Sequence, residues 1–241
     1  MKNTDKLFKK LRINFSIRNP VRALILIYSL IVLAGFLLLS FPCAQKTPTA
    51  FIDNLFTAVS AVSTTGLGSV STSDNYNFFG QFIISLLIQV GGIHYMAFAS
   101  LIILVRRKKD SKLHEDMVRG DFGLPDDFDV RSFIRSVVIF SFVIEAVAVV
   151  PLYFVFQGHG VAYPLWNAVF HSISAFCTAG FSLFNTSFEQ FSGNGLLNIT
   201  IIILSCLGAC GFIVVTDYWQ KWTRKKKDVT FTTKVIISFT G

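Results

Sequence analysis

The chain has 241 residues, of which 52% are hydrophobic and 26 are phenylalanine, and it carries a formal net charge of +8. Its mean hydropathy of +0.58 lies outside the usual range of soluble domains, which excludes an ordinary soluble globular class. The basic excess does not indicate nucleic acid either: "RRKK" at 106–109 and "RKKK" at 224–227 each follow a hydrophobic stretch, where orientation and lipid headgroup contact account for them.

Four stretches, 21–41, 78–105, 133–156 and 196–219, are long enough to span about 30 Å of hydrocarbon. The first follows a basic N-terminus, but its apolar core at 23–41 is nineteen residues long, more than a signal-peptide core of about 7–15. It reads as a retained transmembrane helix. Residues 1–22 carry seven Lys/Arg and one acid, 106–135 carry eight basic and seven acidic residues, and 220–241 carry six basic and one acidic. The connections 42–77 and 157–195 together hold one lysine, Lys46, and three acids, Asp53, Asp74 and Glu189. Positive-inside bias therefore places the N-terminus, the middle loop and the tail in the cytoplasm, and the other two loops outside. The expected protein is an all-α, multi-pass integral protein of the cell membrane.

A self-comparison at an offset of 114 residues aligns 55–70 with 169–184, matching Phe56 with Phe170, Ser60 with Ser174, Ala61 with Ala175, Thr64 with Thr178 and Gly66 with Gly180. With a further shift of three, "IQVGGIHYM" at 88–96 falls beside "SCLGACGFI" at 205–213. Each unit reads as helix, short apolar half-helix, polar glycine turn and helix, and tandem duplication of this kind is common in membrane proteins. The half-helices are 50–62 and 164–176, with Asp53 and Pro164 near their starts. At 1.5 Å per residue each covers roughly 18–20 Å, which suits a dip into the membrane and a return.

The returning segments are "STTGLGSV" and "CTAGFSLF". Irregular backbone at membrane depth is tolerated where it lines a water-filled cavity or holds an ion. Thr64, Thr65 and Thr178 favour extended backbone and offer hydroxyls, while Gly66 and Gly180 supply the φ freedom that turns carbonyls toward one axis. Each half-helix also aims its negative dipole end at that place. Neither segment contains Asp or Glu, so oxygen dipoles would replace the hydration of a monovalent cation such as K⁺ or Na⁺ rather than hold a hard divalent ion.

On "LFTAVSAVSTTGL" (55–67), "LLIQVGGI" (86–93) and "FHSISAFCTAGFSLF" (170–184) the chain resembles the Trk/Ktr/HKT superfamily of potassium transporters, closest to the membrane subunit of the bacterial Ktr system. The resemblance implies a K⁺-channel-like fold of tandem helix–pore-loop–helix repeats. The expected organisation is a cytoplasmic segment at 1–20, a first repeat at 21–105, a cytoplasmic loop at 106–131, a second repeat at 132–220, and at 221–241 a linker with the opening of a third repeat. It further implies filter carbonyls from Thr64, Thr65, Gly66 and Leu67 and from Thr178, Ala179, Gly180 and Phe181. Glycine at position 66 goes with K⁺ preference in that family. K⁺ is the expected substrate ion and Na⁺ a candidate coupling ion, with no cofactor. A homodimer on a cytosolic ring of nucleotide-binding regulatory subunits is the implied assembly, with no nucleic acid. Family members have four such units and this chain two, so it is expected to be the N-terminal half of an uptake subunit.

His94 departs from the glycine that the family keeps behind the filter. It is read either as a titrating group in gating or, more commonly, as a neutral helix-contact residue. Glu145 lies mid-span, with structural pairing and a role in conduction or gating both open; His94 and His171 are candidate partners. His171, opposite Thr57 in the alignment, is expected to pack behind the filter. Cys206 and Cys210 form a C-x-x-x-C pair that reads as helix packing rather than a metal site. No G-x-S-x-G, H-E-x-x-H or Walker glycine loop is present, so no enzyme is expected. The rival readings are a non-conducting half-subunit that assembles with a full-length relative and a membrane-embedded enzyme using Glu145 and a histidine.

Overall fold

The computed structural model describes residues 20–92 and 130–209, with side chains from 25 and from 135 onward in the two stretches. Among the described residues the structure is helical, with one isolated antiparallel bridge between Gln45 and Tyr76 and no strand. His94, most of the 106–131 loop, Cys210 and the tail lie outside the described residues.

Helix α1, Pro20–Ser40, has 21 residues and runs into a short 3₁₀ turn, Pro42–Ala44. The half-helix α2, Phe51–Ser63, follows, one residue later than the sequence pattern indicates. A single turn, α3 (Thr72–Asn75), precedes α4, Phe78–Gly92. In the second stretch α5, Val130–Gly158, has 29 residues. It leads to the half-helix α6, Pro164–Phe176, a 3₁₀ turn at Glu189–Phe191, and α7, Gly195–Ala209.

The helix starts follow from local chemistry. Asn77 Oδ1 accepts from the N–H groups of Phe79 (2.9 Å) and Gly80 (3.1 Å) at the head of α4. Asn194 Oδ1 accepts from Leu197 N–H (3.0 Å) at the head of α7. Such side chains satisfy donors that the first helical turn leaves unpaired. Pro164 opens α6, where its missing N–H and fixed φ cost nothing.

Each half-helix is clasped by long helices: α2 lies against α1 and α4, and α6 against α5 and α7. Contact between α4 and α6 joins the two groups. One core, with Leu39, Ala58, Ile84, Ile88, Phe170 and Phe176, runs through both groups. A second, around Leu152, Phe156, Phe191 and Leu197, fills the space between α5 and α7. The outward faces of α1, α5 and α7 expose Ile25, Leu30, Val147, Phe154, Ile199 and Ile202. In water that surface would be a liability, whereas hydrocarbon covers it at no cost. Within α5, Arg135–Gly158 is long and apolar enough to cross a membrane.

Candidate functional site

Both half-helices end in the same hydrogen-bonded closure. Thr64 N–H donates to Ala61 O (3.3 Å) and Thr65 N–H to Ser60 O (3.1 Å). Thr178 N–H donates to Ala175 O (3.1 Å) and Ala179 N–H to Ser174 O (2.8 Å). This pair of bonds is the Schellman arrangement, which requires one left-handed residue just beyond the helix. Thr64 and Thr178 occupy that position, each at φ 51°. The extended conformation expected for these two threonines is thus corrected: the need to satisfy the last helical carbonyls overrides β-branched preference. A left-handed threonine is costly, on the order of 1–3 kcal/mol, so the surrounding structure must hold it.

Gly66 and Gly180 both sit at φ 72°, and their backbones touch. A Cβ added to Gly66 would lie 2.5 Å from Ala179 O and 2.9 Å from Gly180 Cα; one added to Gly180 would lie 3.3 Å from Gly66 Cα. The two returning segments therefore meet at their glycines. At matched positions on either side they differ. Leu67 is 62% exposed, whereas Phe181 is 6% exposed. Ser60 Oγ lies 3.1 Å from Thr65 Oγ1, while its counterpart Ser174 donates to Phe181 O at 2.7 Å.

The long helices leave room for this arrangement by the same means. Gly91 of α4 faces the Val62 carbonyl and Gly208 of α7 faces the Phe176 carbonyl, so closely that a Cβ at either would overlap the oxygen. Gly92 is covered by Cys177. His171 is buried behind the second segment. Its Nδ1 is paired with Asn167 O (2.8 Å), and its Nε2 accepts from Leu183 N–H (3.2 Å) and faces Ser182 Oγ at 3.0 Å. The backbone donor at Nε2 makes this a neutral ring with its proton on Nδ1. The ring stacks on Phe184, with centroids 4.8 Å apart and planes 11° apart. His171 thus packs behind the returning segment.

Outside the glycines a cleft of about 430 Å³ is lined by Ser69, Ser71, Thr72, Ser182, Asn185 and Ser187, among others. Asn185 spans it. Its Oδ1 accepts from Ser71 Oγ (2.6 Å) and Ser73 Oγ (2.9 Å), and its Nδ2 donates to Asp74 Oδ2 (2.8 Å). Lys46 Nζ donates to Ser73 O at 2.7 Å. The Asn185 amide, the Ser73 and Ser71 hydroxyls and the Lys46 charge hold the Asp74 carboxyl below the usual carboxylate range.

Glu145 is buried on α5, and its partner is Gln89 of α4, whose Nε2 donates to Glu145 Oε1 at 2.8 Å. Of the two candidate partners, His171 is engaged instead by Asn167 and Leu183, and His94 is outside the described residues. Gln89 Oε1 is left without a partner. Trp166 Nε1 donates to Gln81 Oε1 at 2.8 Å, a second polar tie between α4 and the second group of helices. Neither Gln89 nor Asn185 stood out in the sequence, since an amide has no charge to mark it as misplaced.

The TrkH family, described as cation transport protein, matches residues 6–240. The chain is 32% identical over 237 residues to Ktr system potassium uptake protein B of Bacillus subtilis, covering 98% of this chain and 52% of that protein. It is 30% identical to Ktr system potassium uptake protein B of Vibrio alginolyticus, over 90% of this chain and 48% of that protein. It is 33% identical to potassium/sodium uptake protein NtpJ of Enterococcus hirae, over 92% of this chain and 50% of that protein. The chain spans about half the length of these curated relatives. The TrkH match runs over nearly the whole sequence, and that family is one of cation transport proteins, not of enzymes. The chain belongs to the TrkH family of cation transport proteins and is a membrane protein of the Trk/Ktr superfamily.

Proposed function

We propose that this chain contributes part of a K⁺ pathway across the cell membrane, as the ion-translocating subunit of a Ktr/Trk-type uptake system. The observation that carries the reading is the contact of Gly66 with Gly180, each flanked by a left-handed threonine and a half-helix C-terminus. Two segments built alike and meeting at their glycines suit two sides of one ion filter. In this reading the backbone carbonyls of Thr64, Thr65, Gly66 and Leu67, and of Thr178, Ala179, Gly180 and Phe181, face the cation and replace its water. The α2 and α6 dipoles add negative potential there. The polar cleft beneath Asn185 is the outer mouth, and the relatives' names supply K⁺ as the substrate.

The exposed stripe of α2, Ile52, Leu55, Phe56 and Val59, supports further units beside the first segment, since the α6 counterparts Trp166, Val169, Phe170 and Ile173 are buried or half-buried, with Trp166 tied to α4. The N-terminus is cytoplasmic, the assembly is a homodimer, and a cytosolic nucleotide-binding ring regulates it; Na⁺ coupling follows the same likeness. The alternative is a non-conducting half-subunit that works only beside a full-length relative. The experiment is Rb⁺ uptake into liposomes containing the purified chain, with Gly66→Ser as control. Uptake sensitive to the substitution supports a filter built from this chain alone. No uptake alone, with uptake above that of a full-length relative by itself when the two are co-reconstituted, selects the half-subunit.

A further inference from the structure

We infer that Ser174 is a specificity-determining residue that fixes the direction of the Phe181 carbonyl and so sets how strongly the second segment binds the permeating cation. The inference rests on the filter reading above. Ser174 is buried on α6, and its hydroxyl reaches seven residues ahead to donate to Phe181 O at 2.7 Å. Ser60, 114 residues earlier, has the same place on α2 and does something else: its Oγ lies 3.1 Å from Thr65 Oγ1. The difference follows from one side chain. Position 65 is threonine and its counterpart at 179 is alanine, so Ser174 finds no hydroxyl on its neighbour and turns to the backbone.

The consequence is an asymmetric site. The Phe181 carbonyl already accepts a short hydrogen bond on the half-helix side, whereas the Leu67 carbonyl accepts no side-chain bond among the described residues. An oxygen that shares its lone pairs with a hydroxyl presents a weaker field to a cation and swings less freely. Weak-field, restrained oxygens favour the larger and less tightly hydrated K⁺ over Na⁺, since Na⁺ gains more from oxygens that can close in. Ser174 therefore supports K⁺ preference at the outer level of the second segment. His171 holds the next residues through Leu183 N–H, so the bond acts on one carbonyl and not on a loose loop.

The test uses two substitutions that break the same bond from opposite ends. Ser174→Ala removes the donor; Ala179→Thr offers Ser174 the partner that Ser60 already has. Rb⁺ uptake with Na⁺ as competitor reads selectivity, by the chain alone or, where a full-length relative is needed, as the uptake in excess of liposomes that hold that relative alone. Both substitutions should lower Rb⁺ over Na⁺ discrimination by about five- to tenfold, the scale of one hydrogen bond. Ser174→Thr, which keeps the hydroxyl, should retain most of it. Unchanged discrimination in both variants, with uptake intact, overturns the inference. A second readout needs no transport: thermal unfolding of the purified chain in detergent. Ala179 is fully buried, so a threonine there also strains the packing and only Ser174→Ala reads the bond in this way: it should lower Tm by about the cost of one buried hydrogen bond, and an unchanged Tm overturns the inference. A lowered Tm with no uptake attributable to the chain would leave the Ser174 bond standing and sink the filter reading instead.

Discussion

Gly66 and Gly180 touch through their backbones, yet the contact is lopsided: a Cβ at Gly66 meets Ala179 O at 2.5 Å, whereas a Cβ at Gly180 meets only Gly66 Cα, at 3.3 Å. Both residues share a φ of 72° that disfavours any side chain. Alanine or serine at Gly66 must therefore push the segments apart as well as strain the turn. At Gly180 the strain remains but the collision is mild. The expected order of damage is Gly66→Ser well beyond Gly180→Ser, in Rb⁺ over Na⁺ discrimination and in Tm alike. Equal effects, or a reversed order, would mean that the two segments do not meet in this way.

The same logic applies one layer back. Gly91 and Gly208 each receive the last-turn carbonyl of a half-helix, Val62 and Phe176, with no space for a methyl group. Alanine at either would displace a half-helix whose position depends on close packing. Each substitution should cost about 1–3 kcal/mol of stability, seen as a lowered midpoint in thermal unfolding. An alanine at Gly193, around which nothing lies within 4 Å, serves as the neutral control.

Much of this architecture was visible in the sequence, and the omissions have physical causes. The half-helices were legible because short apolar segments between long ones, with Asp53 and Pro164 at their starts, have few other solutions. The glycines of α4 and α7 were visible as mid-helix anomalies; their purpose was not, because a carbonyl approaching from 29 or 32 residues away leaves no mark on composition. Thr64 and Thr178 misled, since intrinsic preference for extended backbone yields to the closure of a helix end. Glu145 was conspicuous and Gln89 was not: a buried charge is rare enough to flag itself, and the amide that satisfies it is not. Asn185 was hidden for the same reason, with its partners more than 100 residues away.

The Glu145–Gln89 pair gives a prediction that separates packing from conduction. Glu145→Gln keeps a carbonyl oxygen to accept from Gln89 Nε2, so the bond across the α4–α5 contact survives. Glu145→Ala removes the acceptor and strands the amide, whose Oε1 already lacks a partner; an unsatisfied buried group costs about 1–3 kcal/mol. Thermal unfolding should therefore rank wild type and Glu145→Gln close together, with Glu145→Ala clearly below. If Glu145→Gln instead keeps its Tm and abolishes uptake, the carboxylate itself takes part in transport.

Asn185 and Asp74 tie the loop after α6 to the segment after α2, and the sign of the pH dependence follows from the lowered carboxylate. A group whose folded pKa is depressed adds stability above its unfolded value, here about 3.8, and loses it as the pH falls through the lowered folded value. Wild-type Tm should thus drop below pH about 4 more steeply than that of Asn185→Ala, which lacks the bond. Because Asp74 is fully exposed, the effect is a small one in water. A charge-conserving exchange gives a sharper test. Asn185→Asp alone sets two carboxylates against each other, and should loosen the loops and reduce uptake. Combining it with Asp74→Asn restores one donor opposite one acceptor while leaving the charge of the mouth unchanged, and should recover both Tm and uptake. If instead Asn185→Asp raises uptake and Asp74→Asn lowers it, the mouth acts through its field on incoming cations, and the tie between the loops is incidental.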